Sequence, residues 1–120
     1  MNPILNDGEF VFVSVDNTTD IDISELISVF HEKEGTTLIM SRKKADELGF
    51  NYELIAAWIT LEVHSDLGAV GLTAAFSNAL AECNISCNVV AGFYHDHIFV
   101  DHKDRNKAMK ALLDLKTTIT

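Results

Sequence analysis

From residue 58 to residue 101 the spacing of apolar positions changes repeatedly, and the changes mark out the elements. After Trp58, the apolar Ile59, Leu61 and Val63 alternate with Thr60, Glu62 and His64, the pattern of a half-buried strand. Ser65–Gly71 breaks the alternation with two glycines and with Ser65 and Asp66, residue types suited to capping a helix. From Leu72 the apolar residues recur at Leu72, Phe76, Ala79, Leu80 and Cys83, a helical stripe wide enough to cover a sheet. Ile85–Ala91 returns to a strand pattern, Tyr94–Asp96 predicts a hairpin turn, and His97–Asp101 predicts the returning strand. Asp101 or Asp104 can cap a last helix, with Ala108, Leu112 and Leu115 on one side and most of its lysines elsewhere. Strand, helix, strand, strand, helix is one strand short of a split βαβ unit. The predicted fold is therefore α+β, a ferredoxin-like antiparallel sheet with its helices on one face.

The first half follows the same logic less fully. Phe10 and Phe12 lie on one side of a strand and Val11, Val13 and Val15 on the other, so both faces are apolar and the strand is interior or at a subunit contact. Asp16–Asp20 is a polar loop. Ser24–Phe30 is open between a short helix and a strand, and Thr36–Met40 is rich in strand-forming residues. Ser41 is placed to cap a short helix running to Leu48, closed by Gly49 in a left-handed conformation. These elements predict a reduced half over residues 1–52 and a fuller unit over residues 53–120. The chain has a single proline and no Gly/Ser-rich linker between them.

Composition narrows the functional classes. Of 120 residues 48% are hydrophobic, enough for a real core. Eighteen acidic against nine basic residues give a formal charge of −9, which disfavours nucleic acid and anionic membranes as partners. Nowhere does an apolar run approach the length of a membrane span, and no basic leader precedes one, so a cytoplasmic protein is expected. Cys83 and Cys87 fall on either side of a helix-to-strand junction and predict free thiols rather than a disulfide or a zinc knuckle.

These residues resemble the ACT domains, small ligand-binding regulatory modules. The family pattern is a strand, an Asp-x-Pro-Gly loop, a helix opening on leucine, and a second strand opening Gly-Ile-x-Ile. Gly71-Leu72 and Asn84-Ile85-Ser86-Cys87 match it, with Val70 in place of the proline, Asn84 in place of the glycine and the carboxylate displaced to Asp66. Gly8-Glu9-Phe10-Val11-Phe12 and Glu34-Gly35-Thr36-Thr37-Leu38 extend the resemblance to a subgroup of small free-standing members. The resemblance implies two ACT-like units, the first degenerate, and an amino acid held between the loop of one unit and the second strand of a neighbour. Carried over, Asp66, Leu67, Gly68, Ala69, Val70 and Gly71 form the loop wall, and Ser86, Cys87 and Asn88 form the facing strand. Asp66 would accept from an α-amino group, and loop N–H groups would meet a carboxylate. The competing structural reading is that Ser65 or Asp66 only caps the helix and Gly71 only lets it pack closely.

Other chemistry is thinner. His95 and His97, with His64 and His102 at strand ends, could gather a metal beside Asp66, Asp96 or Asp101, but no pair has helical ligand spacing. A hydrogen-bonded hairpin end is the competing reading. His64, Ser65 and Asp66 are adjacent on one strand and point to opposite faces, so they cannot form a triad. The expectation is a non-enzymatic, homodimeric, amino-acid-binding regulator with no catalytic residues, cofactor or metal. Its rivals are an interaction module with a vestigial groove and a small metal-dependent enzyme using His95 and His97.

Overall fold

The computed structural model describes residues 2–16, 20–62 and 69–119. The elements are β1 (Asn2–Val15), a 3-10 turn (Ile23–Glu25), β2 (Ser28–His31), β3 (Thr36–Ser41), α1 (Arg42–Leu48), β4 (Ile55–Glu62), α2 (Ala69–Glu82), β5 (Cys87–Ala91), β6 (Asp96–Asp101), a second 3-10 turn (His102–Asp104) and α3 (Arg105–Ile119). The open stretch Ser24–Phe30 thus divides into the end of a turn and the start of a strand. The chain forms two compact units, Gly8–Ala56 and a larger one made of Met1–Asp7 with Ala57–Thr120.

In the Gly8–Ala56 unit the hydrogen-bonded strand order is β2-β3-β1, both pairings antiparallel. Val13 stands opposite Leu38 and Val11 opposite Met40, and these four with Ala45 of α1 form the buried cluster. Local chemistry sets the ends of α1. The Ser41 hydroxyl accepts from the Lys44 N–H at 3.1 Å, and Gly49 sits at φ 74, with the Phe50 N–H reaching back to the Ala45 carbonyl at 2.9 Å. Replacing Ser41 with alanine is expected to cost about 1 kcal/mol in urea unfolding, since it removes that cap.

In the larger unit the order is β1-β4-β6-β5. Read with the first residues of β1 as the fourth strand, this is the ferredoxin-like arrangement, and the strand that the pattern of residues 58–115 lacks comes from the chain's own beginning. The Asn6 amide donates to the Trp58 carbonyl at 3.2 Å and to the Thr60 hydroxyl at 3.0 Å, and the Asn2 amide donates to Glu62 at 3.0 Å. Gly8, at φ 112, stands inside β1 where the one unit gives way to the other, a backbone state that side-chain-bearing residues rarely adopt.

Alternation assigns the faces of this unit. Ile59 and Leu61 of β4 and Ile98 and Val100 of β6 are buried with Leu72, Phe76 and Leu80 of α2 and Ala108 and Leu112 of α3, so both helices cover one face. Of the helical stripe read from the sequence, Leu72, Phe76, Leu80 and Cys83 pack in this core. Asn84, at φ 59, ends α2: its N–H donates to Ala81 O and that of Ile85 to Leu80 O, both at 2.9 Å. Asparagine tolerates this left-handed state, which explains how it stands at the family's glycine position. Ile85 therefore packs as the apolar contact of the helix end, and β5 starts two residues later than its strand pattern suggests.

Candidate functional site

After β4 the next described element is α2, and at the start of a helix the first-turn N–H groups lack helical partners and the helix dipole is positive. Asp66, Leu67 and Gly68 lie outside the described residues. Ala69, Val70 and Gly71 belong to the first turn of α2, which begins three residues ahead of Leu72. Gly71 is thus a helix residue and not a loop residue, and it is exposed with open space where a Cβ would stand. Among the described residues nothing packs closely against it. Glycine costs only about 1 kcal/mol in a helix, which the buried stripe behind it outweighs.

The strand that the resemblance expects to face a ligand is β5, which ends the order β1-β4-β6-β5 and so has a free hydrogen-bonding edge among the described residues of its unit. Ser86, just ahead of it, and Asn88 are exposed. Cys87 points to the other side and packs against the α2/α3 core, and burial pushes its thiol pKa up. The structure thus leaves Ser86 and Asn88 available to a ligand and turns Cys87 away from them. Cys83 is also a free, half-buried thiol against the same core.

The histidines separate. His97 on β6 receives the Trp58 indole N–H at its Nδ1, 2.9 Å away, and the Thr60 hydroxyl lies 3.2 Å from the same nitrogen. His95 is in the hairpin turn, which is Gly92–His95 rather than Tyr94–Asp96 and is closed by Gly92 N–H to the His95 carbonyl at 2.9 Å. His102 sits in the turn before α3 against the Arg105 guanidinium, and His64 lies outside the described residues. Among the described residues no three His, Cys, Asp or Glu side chains converge as metal ligands. Sequence reasoning did not anticipate the Trp58–His97 pair, because the two residues are 39 apart and no local spacing encodes their meeting.

Two ACT-domain family models match in tandem, one over residues 1–57 and one over residues 53–114. The chain belongs to the ACT-domain family. The second match spans β4 to α3 of the larger ACT unit but leaves out residues 2–7, which the structure sets beside β4. The chain is 44% identical to a Vibrio cholerae protein of unknown function described as a possible transport protein, covering 94% of this chain and 88% of that one, with a TM-score of 0.86. Two more distant structures share the fold. The regulatory subunit of aspartate kinase from Thermus thermophilus, in its ligand-free form, is 7% identical with a TM-score of 0.66, over 96% of this chain and 97% of that one. A putative C-terminal regulatory domain of aspartate kinase from Porphyromonas gingivalis is 17% identical with a TM-score of 0.60, over 94% of each. A comparison with curated proteins finds no match. Membership of the ACT family supports a ligand-binding regulatory role. Among the described residues no helix is long and apolar enough to cross a membrane.

Beyond the expected site, the smaller ACT unit holds an open recess of about 270 Å³ lined by Glu25, Ser41, Lys43, Lys44 and Glu47. One pair of its charges is matched, with Lys44 Nζ 2.6 Å from Glu25, and that hydrogen bond raises the lysine pKa.

Proposed function

We propose that this ACT protein is a non-enzymatic regulator that binds an amino acid at the start of α2 and at the exposed residues of β5, and that it works as a homodimer. The observation that carries this reading is the complete ferredoxin-like strand set of the larger unit, in which α2 is the next described element after β4. First-turn N–H groups suit a carboxylate, Gly68 would let the loop backbone approach it, and Asp66 would take the α-amino group. Ser86 and Asn88 supply polar side chains on the facing strand. The free edge of β5 supports pairing with a second copy, which would bring that strand to the loop of its neighbour. The names of the aspartate kinase chains that share the fold are those of regulatory parts, in line with this role.

A second reading, a protein-interaction module with a vestigial groove, is favoured by one observation. Phe93 and Tyr94, at the tip of the β5/β6 hairpin, are 95% and 82% exposed and stack edge to face with centroids 5.0 Å apart. A thermal-shift screen of the twenty amino acids separates the two. A specific ligand at about a hundred times its Kd should stabilise the fold by about 2.7 kcal/mol. A flat screen contradicts the amino-acid reading and favours the interaction module.

A further inference from the structure

The polar residues around His97 fix where its proton sits. An indole N–H can only donate, so the His97 Nδ1 that lies 2.9 Å from Trp58 Nε1 must present a lone pair. The neutral ring therefore carries its hydrogen on Nε2. Thr60 is compatible with this: its oxygen accepts from the Asn6 amide at 3.0 Å and its own hydrogen is free to point at Nδ1, 3.2 Å away. On the Nε2 side stands Gly92, where a Cβ would lie 3.3 Å from Nε2, so the absence of a side chain makes room for the ring. A second proton on His97 can go only to Nδ1, where it would face the indole N–H as donor against donor.

We propose that His97 is a proton-operated brace of the larger unit: neutral, it ties β6 to β4 through Trp58 and Thr60, and protonation at Nδ1 breaks the tie to Trp58. Among the described residues the groups that meet it from β4 and β1 are uncharged, namely Trp58, Thr60 and, through Thr60, Asn6. Its titratable neighbours are on its own hairpin, His95 with ring centroids 6.4 Å apart and Asp96. Burial chiefly, and then His95, lower the His97 pKa from its ordinary value, and Asp96 opposes them. A base with a lowered folded value takes up its proton first in the unfolded chain. The stability that neutral His97 contributes is therefore whole above the unfolded value of about 6.5 and declines as pH falls below it toward the folded value.

Trp58 is the single tryptophan, so its indole resonance reports on the brace without ambiguity. In ¹H–¹⁵N spectra from about pH 7.5 to about pH 5, that resonance is expected to move with a midpoint below about 6.5. His97→Asn, whose Oδ1 replaces Nδ1 as acceptor, should keep the indole near its neutral position and abolish the movement. His95→Asn should preserve the movement and raise its midpoint by removing the imidazole that helps lower the His97 value. An indole resonance that does not titrate, or one that titrates unchanged in folded His97→Asn, overturns the proposal. Should that variant fail to fold, side-chain ¹⁵N shifts of the natural protein near neutral pH decide: the Nε2–H tautomer supports the brace, and the Nδ1–H tautomer overturns it.

Discussion

Replacing Phe76 with alanine is expected to lower stability by about 3–5 kcal/mol. Its side chain has no solvent exposure, and it belongs to the cluster that joins Ile59 and Leu61 of β4, Ile98 of β6, Leu80 of α2 and Leu112 of α3. Neighbours drawn from both helices and both central strands cannot all close in, so the loss includes a cavity as well as the transfer of a ring to water. Against a total of about 5–15 kcal/mol for a protein of this kind, that is a large fraction. The matched control is Phe93→Ala at the exposed hairpin tip, expected within about 0.5 kcal/mol of the natural protein. Urea unfolding followed by circular dichroism measures both, and a loss below about 1 kcal/mol for Phe76→Ala would contradict the core described here.

Deleting residues 2–7 should be comparably damaging, although they lie far in sequence from the rest of the larger unit. These residues form the strand beside β4, with Pro3 buried, Leu5 packed on the α2/α3 core and Asn6 bonded to Trp58 and Thr60. The Lys116 ammonium also donates to the Asn2 side chain at 3.1 Å, so the end of α3 loses a partner. Loss of one packed leucine and several hydrogen bonds amounts to about 3 kcal/mol or more, and β4 gains a bare edge. Chemical unfolding of the shortened chain checks this, and an unchanged midpoint would mean that the first residues are not part of the larger unit. Asn6→Ala alone should cost about 1 kcal/mol.

The contrast between these two regions shows which structure a sequence displays locally. The ends of α1 are legible because Ser41 and Gly49 act on backbone groups within a few residues of themselves. The stripe of Leu72, Phe76 and Leu80 is legible because helix geometry alone puts these residues on one face. The strand at residues 2–7 is not legible, since its partner lies more than fifty residues away and its own composition, Asn2 to Asp7, carries no clear alternation. The start of α2 is misread for a different reason: Gly71 has the look of a breaker, yet an exposed first-turn position tolerates it. Of the residues carried over from the resemblance, Ser86 and Asn88 stand exposed, whereas Cys87 follows strand alternation into the core.

The central claim, that an amino acid binds at the start of α2, is tested most directly by isothermal titration calorimetry. The titrant is the amino acid that gives the largest thermal shift, and the proteins are the natural one, Gly68→Val and Asp66→Ala. Each variant must first show a folded spectrum, since Asp66→Ala can cost about 0.5–2 kcal/mol if its side chain caps the helix. Both folded variants are expected to bind at least tenfold more weakly, a loss of about 1.4 kcal/mol or more, from an added side chain where the backbone meets the carboxylate and from a missing acceptor for the amino group. Unchanged affinity in both would place the ligand elsewhere and leave this loop with a structural role alone.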